Sequence, residues 1–320
     1  MAFTHLHVHS EFSLLDGLAR VPDLVSVAKE RGFDALALTD HGAMYGAIQF
    51  YQQAHAAGIK PIIGCELYVA ARTRLDRDGE RDRRSHHLTA LAMDAEGYRS
   101  LLRLVSRAQL EGYYYRPRVD RELLEAHNAG LVILSGCESG EAPRQILAGD
   151  DAAARSVLAW YRDVFPGRFF VELQSHGLPN SDAVARGLVP LARELELPLV
   201  ATNDVHYARP QDVSAHEVLL CIQTATNIHD PKRMRYGNSF YLRTEQEMRE
   251  TFADLPEARI TADEAAAHGD MQLVPMLEVE MNGNTVPLAL APAAATVQVG
   301  AGALATTIVL EPASGATTKL

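Results

Sequence analysis

The sequence predicts an α/β fold, a parallel sheet covered by helices, and three observations carry that reading. Strand-like runs and amphipathic helical runs alternate from the first residues onward. The strand candidates number seven. Each of them brings a side chain that can bind a metal ion, in most cases at its end.

The strand candidates, in chain order, are "FTHLHVHS", "ALALTDHG", "KPIIGCELYVA", "HHLTALAMD", "GLVILSGC", "RFFVELQSHG" and "LVATNDVHY". Between them, apolar residues recur at three- and four-residue spacing, which predicts helices over Val21 to Arg31, Ala43 to Ala57, Gly97 to Gln109, Ala152 to Phe165 and Asp182 to Leu195. Asn180 and Ser181 stand where the last of these would be capped.

The strands deliver His7 and His9, then Asp40 and His41, Glu66, His87 (early in its strand), Cys137, then Glu172, Gln174 and His176, and finally Asp204 and His206. A single histidine is more often a packed core residue than a ligand. A ligand type on every strand in succession is better explained by convergence, because the strands of an α/β barrel open onto one mouth. Residues two apart on a strand share a face, so His7 and His9 point together, as do Asp204 and His206. His5 shares that parity but lies further from the strand end, so His7 and His9 are preferred. Imidazole and carboxylate donors with one thiol suit zinc first, then manganese or iron. The supply exceeds one tetrahedral ion, and a carboxylate such as Glu66 can bridge two cations.

Composition narrows the function classes. The chain has 320 residues, 47% of them hydrophobic, and 30 Lys+Arg stand against 41 Asp+Glu for a net charge of -11. That balance opposes tight nonspecific binding along a phosphate backbone. Local exceptions are Arg99 to Arg121, which includes Tyr113, Tyr114 and Tyr115, and "PKRMR" from Pro231 to Arg235; a solvated helix face and a loop account for them. The run "RTRLDRDGERDRR" reads as a solvated charged loop. No apolar run is long enough to span a membrane and no signal-peptide layout opens the chain, so a cytoplasmic protein is expected. The three cysteines, Cys65, Cys137 and Cys221, are too far apart in sequence for a CxxC knuckle.

After Phe252 the chain has no aromatic residue and alanine dominates. This places a boundary near residues 257 to 262, with a domain over 1–257 and an Ala-rich extension over 258–320. Alternation around Asn282-Gly283 signals a hairpin, and "ATVQVGAGALATTIVLEP" offers further strands. The extension is therefore a small β module or an unstructured tail.

The segments "HLHVHSEFSLLDG", "LALTDHGAMYGAIQFY", "GIKPIIGCELYVA", "LVILSGCESGE", "FFVELQSHGLP" and "ATNDVHYARPQDVSAHEVLLCIQTATNI" together resemble the polymerase and histidinol phosphatase (PHP) domain of the bacterial replicative DNA polymerase III alpha subunit. The resemblance runs over residues 1 to about 257. It implies a distorted (β/α)7 barrel of seven strands, metallo-dependent phosphatase-like, holding two or three divalent metal ions. The implied metal ligands are His7, His9, Asp16, His41, Glu66, His87, Cys137, Asp204 and His206, with Asp40 and His176 behind them and with Asp204, His206 and His41 as catalytic residues.

The implied activity is a metal-dependent phosphoesterase of the 3′-5′ exonuclease type. Its partners would be a DNA 3′ end or another phosphate ester, and a replicative polymerase or proofreading subunit. The alternative is a non-catalytic module whose metals stabilise the fold. The polymerase continuation of the family does not follow "FADLPEA", so the chain is not expected to polymerise nucleotides by itself.

Overall fold

A computed structural model describes residues 3–14, 16–255, 258–259, 276–281, 284–289, 295–299 and 306–310. By its internal contacts the chain divides into residues Met1–Gly269 and Asp270–Leu320.

The first unit is a mixed α/β fold built on a curled sheet. Its strands are β1 (Ala35–Leu38), β2 (Lys60–Ala70), β3 (Ser85–Ala92), β4 (Arg118–Val119), β5 (Leu131–Leu134), β6 (Phe169–Gln174), β7 (Leu199–Thr202) and β8 (Ala258–Arg259). The order is β1-β2-β3-β5-β6-β7-β8, with β4 added to β2. The pairings are parallel except at β3, which runs antiparallel to both β2 and β5. This departs from the expected all-parallel sheet. It also explains why His87 stands early in its strand: reversal brings the start of β3 to the mouth formed by the ends of its neighbours.

Along each strand one face changes character. Ile62, Leu91, Phe170 and Val200 belong to a buried apolar cluster completed by Leu6, Ala35, Ala37, Val132 and Leu134. Two to four residues nearer the mouth, on the same face, stand Glu66, Thr89 and His87, Glu172, and Thr202 and Asp204. The sheet thus has an apolar floor and a polar mouth.

The expected first strand is not a regular strand. His5 O accepts from Ala37 N, and Val8 O from Thr39 N, so three residues of the N-terminal segment pass two of β1. That extra residue is a bulge, which breaks the ladder. The segment still connects the two sides of the sheet, since His9 N donates to Val205 O and Val205 N to His7 O.

The helices that cover the sheet include α1 (Val21–Glu30), α2 (Ala47–Ala57), α4 (Ala95–Leu110), α7 (Asp151–Val164) and α8 (Pro179–Glu194), close to the expected spans. The expected cap of α8 is wrong: Pro179 occupies its first turn after Leu178, and Ser181 is buried within it. Proline fits there because its missing N–H has no helical acceptor. Shorter helices are α3 (Gly79–Arg83), α5 (Arg121–Ala126), α6 (Glu141–Leu147) and α10 (Glu245–Thr251), and α9 covers Val213–Gln223.

The charged run 72–84 is largely exposed, as expected of a solvated loop, but it is structured. It contains α3, and it folds around the fully buried Arg118, whose guanidinium donates to the backbone carbonyls of Gly112, Asp82, Arg74 and Asp76 at 2.9 to 3.0 Å. Asp82 binds Arg72 in two-point fashion, and Asp120 holds Arg74. The arginines of α4 behave as expected of a solvated face, Arg99 and Arg103 pairing with Glu96 and Arg107 with Glu111.

In the second unit, Met276–Met281 pairs antiparallel with Asn284–Ala289, and Ala295–Val299 with Thr306–Leu310. The Asn282-Gly283 turn lies outside the described residues.

Candidate metal centre

Seven of the expected ligands crowd together at the mouth. His7 Nε2 and His9 Nε2 face each other at 3.1 Å. Glu66 lies 3.5 Å from the first nitrogen and 3.3 Å from the second, and Asp204 Oδ1 is 3.4 and 3.3 Å from them. His41 Nδ1 approaches Glu66 Oε2 to 2.6 Å, and His87 Nδ1 meets Glu66 Oε1 at 2.8 Å. The His206 ring stacks obliquely on His9, centroids 4.4 Å apart. Glu66 is thus the central carboxylate. Among the described residues three groups of donor atoms have the spacing to hold an ion: His9, His41 and His206; His7, His9 and Glu66; His41, Glu66 and His87.

The other two expected ligands stand at the edge. Asp16 Oδ2 is 3.4 Å from His41 Nε2 and accepts from Gln223 at 3.0 Å. Cys137 Sγ is 3.8 Å from Glu66 Oε1 and 3.7 Å from His87 Nδ1. His5 takes no part. Its Nε2 meets Arg243 O at 2.8 Å, and its ring packs edge-on against Phe3 and Phe33.

The imidazoles are turned from behind. Glu172 Oε1 accepts from His7 Nδ1 at 2.7 Å, which leaves His7 Nε2 for the cluster. Glu172 also accepts from Thr202 Oγ1 and Gly136 N. Gly136 has φ +83, and a Cβ there would meet His87 O at 2.4 Å, so no side chain fits. Ser13 Oγ holds His9 Nδ1 at 2.9 Å and in turn donates to Asp40 Oδ1 at 2.7 Å. Asp40 therefore acts on His9 through Ser13 rather than directly. Asp204 O holds His206 Nδ1 at 2.8 Å, and Asp204 itself takes the left-handed φ of +45, a strained conformation outside glycine. His176 is directed elsewhere: its Nδ1 meets Ser239 Oγ at 3.0 Å and its ring stacks on Phe240 at 3.7 Å.

Buried polar atoms normally have partners. Here Asp16 Oδ1, His41 Nδ1, Glu66 Oε2, Asp204 Oδ1 and His206 Nε2 make no hydrogen bond, although they lie in one cluster of opposite charges. His41 Nδ1 and Glu66 Oε2 approach closely without hydrogen-bond alignment. Partnerless donor atoms of this kind, in groups spaced for a shared ion, fit divalent cations.

The carboxylates give the mouth a field that favours positive charge. Burial alone would lower the His7 pKa, yet the carboxylates of Glu172, Asp204 and Glu66 push it well above its ordinary value. Burial opposes ionisation of Glu66, but His87, His41 and His7 hold its carboxyl well below the usual range. His9 falls to about 3 through burial and its neighbours His41 and His206, which leaves it a neutral donor. Burial and the carboxylates of Glu66 and Asp204 push the Cys137 thiol up; a bound cation reverses that, because a coordinating thiol is deprotonated.

Sequence reasoning passed over several supporting residues. Glu172 was legible only as one more possible ligand. Ser13, Thr202, His216 (whose Nε2 meets Asp16 O at 2.8 Å) and Gln223 carry no recognisable spacing signal.

Beside the cluster opens a cavity of about 300 Å³. His41, Glu66, His87, Cys137, Asp204 and His206 are among the residues that line it.

A curled α/β sheet whose mouth gathers histidines and carboxylates defines the class. The PHP domain family model matches residues 5–176, and the chain belongs to that family. It is 49% identical to the DNA polymerase III subunit alpha of Thermus aquaticus over 263 residues, 81% of this chain and 21% of that protein. The subunits of Treponema pallidum and Borreliella burgdorferi are 48% and 45% identical over 260 and 258 residues, each alignment covering 80% of this chain and 22% of the relative. The chain spans about a fifth of the length of these curated relatives. Among solved structures, it is similar to a two-domain protein from Bacteroides vulgatus containing a predicted PHP-like metal-dependent phosphoesterase, with 16% identity, a TM-score of 0.37, and coverage of 97% of this chain and 83% of that one. Among the described residues no helix is long and apolar enough to cross a membrane.

Proposed function

We propose that the chain is a metal-dependent phosphoesterase of the 3′-5′ exonuclease type, working on DNA 3′ ends beside a replicative polymerase or proofreading subunit in the cytoplasm. The observation that carries this reading is the set of buried, partnerless donor atoms of Asp16, His41, Glu66, Asp204 and His206 beside an open cavity. His7, His9, Asp16, His41, Glu66, His87, Cys137, Asp204 and His206 would hold two or three divalent ions, zinc foremost and manganese or iron otherwise. When bound, such ions make water nucleophilic near neutral pH and offset the charge of a phosphate.

The chain's own residues do the rest. Glu172 and Ser13 fix the His7 and His9 rings so that each presents Nε2 to the cluster. Asp204, His206 and His41 line the cavity, where they orient the attacking water, and the Asp204 carboxylate takes its proton. Burial strengthens each of these interactions by excluding bulk water.

The net charge of -11 favours a second reading, a metal-stabilised module that docks a partner without turnover. Elemental analysis of the purified protein, paired with nucleotide release from 3′-labelled single-stranded DNA, separates the two. The enzyme reading expects metal in the protein and release that stops on chelation. Metal-loaded protein that releases nothing contradicts it.

A further inference from the structure

Part of the wall of the cavity is apolar and unused by the metal chemistry: Leu178, Val184, Ala185, Met234 and Phe240, with Tyr236. Tyr236 and Phe240 also meet the His206 ring, at 5.0 and 6.0 Å between centroids. His176 joins this wall: with Nδ1 engaged by Ser239, its buried Nε2 has no partner. The rim carries two exposed arginines, Arg144 from α6 and Arg235 from the 227–240 loop, against one rim carboxylate, Glu138. Among the described residues Arg144 hydrogen-bonds the neutral Ser139 hydroxyl, at 3.0 Å, and pairs with no carboxylate. Arg235 has no ion pair or hydrogen bond among the described residues, whereas its neighbour Arg233 is bound to Glu217 at 2.7 Å. In a chain this acidic, two cations not neutralised by a carboxylate at the edge of one cavity call for an anionic ligand.

A ligand with a single phosphate would present that phosphate to the cluster and leave nothing for the rim. We propose that the cavity takes the terminal nucleotide of a single-stranded phosphodiester, with its base on the apolar wall, its scissile phosphate at the cluster, and the next phosphate along the strand held by Arg144 and Arg235. This assignment rests on the phosphoesterase reading and adds to it the residues that hold the base and the second phosphate. A cavity of about 300 Å³ is on the scale of one nucleotide. His176 Nε2 supplies a hydrogen bond to the bound unit. In the reaction, the water oxygen bonds to phosphorus as the bond from phosphorus to the 3′ oxygen of the preceding nucleotide breaks. The proton ends on that 3′ oxygen, and a nucleoside 5′-monophosphate leaves.

The test compares a thymidine dinucleotide, which has one phosphate, with the trinucleotide, which has two. In wild type kcat/KM should favour the trinucleotide, and in Arg144→Ala/Arg235→Ala the ratio of the two values should fall about tenfold, the scale of one charged hydrogen bond. The loss should appear in KM. A phosphorothioate trinucleotide, measured by calorimetry with zinc or manganese present, should bind about tenfold more weakly to the variant, and its affinity should depend less steeply on salt. Equal ratios and equal affinities in wild type and variant overturn the rim assignment while leaving the phosphoesterase reading intact. If wild type cleaves neither substrate, the reading beneath it fails, and absence of trinucleotide binding then removes the cavity assignment as well.

Discussion

Glu172 Oε1 sits 2.7 Å from His7 Nδ1, and neither side chain reaches solvent. A buried carboxylate in that position fixes both the tautomer and the direction of the ring. Glu172→Gln keeps the volume but replaces the charge with an amide. Metal affinity should fall about 10- to 100-fold, the usual scale for such partners, with the secondary structure unchanged. Competition against a chromogenic chelator measures it, and unaltered affinity would make Glu172 a bystander.

Arg118 anchors the segment that joins β2 to β3. Removing its guanidinium leaves four carbonyls, those of Gly112, Asp82, Arg74 and Asp76, without their donor in a buried place. Arg118→Ala should cost about 3 kcal/mol or more, since each unsatisfied buried acceptor costs on the order of 1–3 kcal/mol. Arg118→Lys should recover only part of the loss, because an ammonium cannot reproduce the planar fork. Urea unfolding of the three proteins checks both statements.

Asp82 gives a pH dependence. The two-point hydrogen bond from Arg72 holds its carboxyl down to about 2, against the pull of burial. A depressed carboxyl contributes stability that is complete above its unfolded value, about 4, and lost as pH falls through the folded one. The melting temperature of Asp82→Asn should therefore lie below that of wild type at neutral pH, and the gap should close as pH falls from about 4 toward 2. A gap that does not change with pH would assign the effect to shape rather than charge.

The ligand types were legible because strand periodicity is simple. Phe170, Glu172 and Gln174 alternate with apolar residues, as do Val200 and Thr202, so the mouth-facing residues can be picked out by parity. The direction of β3 was not legible, because a strand reads alike both ways and only its pairing with β2 and β5 reverses it. The bulge between His5 and Val8 was hidden for a similar reason: the extra residue is defined by Ala37 and Thr39, about thirty positions away. Arg118 looked like part of a basic surface because its four acceptors are backbone atoms, which leave no mark on side-chain pattern. The same is true of Ser13, whose value comes from lying between His9 and Asp40.

The account turns on whether the clustered donors support hydrolysis, and Asp204→Asn tests that most directly. Asparagine tolerates the left-handed backbone that residue 204 adopts, so the exchange removes a charge without adding backbone strain. The measurement is nucleotide release from a single-stranded primer with zinc or manganese, run beside circular dichroism of both proteins. The expected result is an unchanged fold with release lowered at least about tenfold in the variant. Wild type that carries its metals and yet releases nothing above the Asp204→Asn background, on DNA or on a generic phosphate ester, would contradict it.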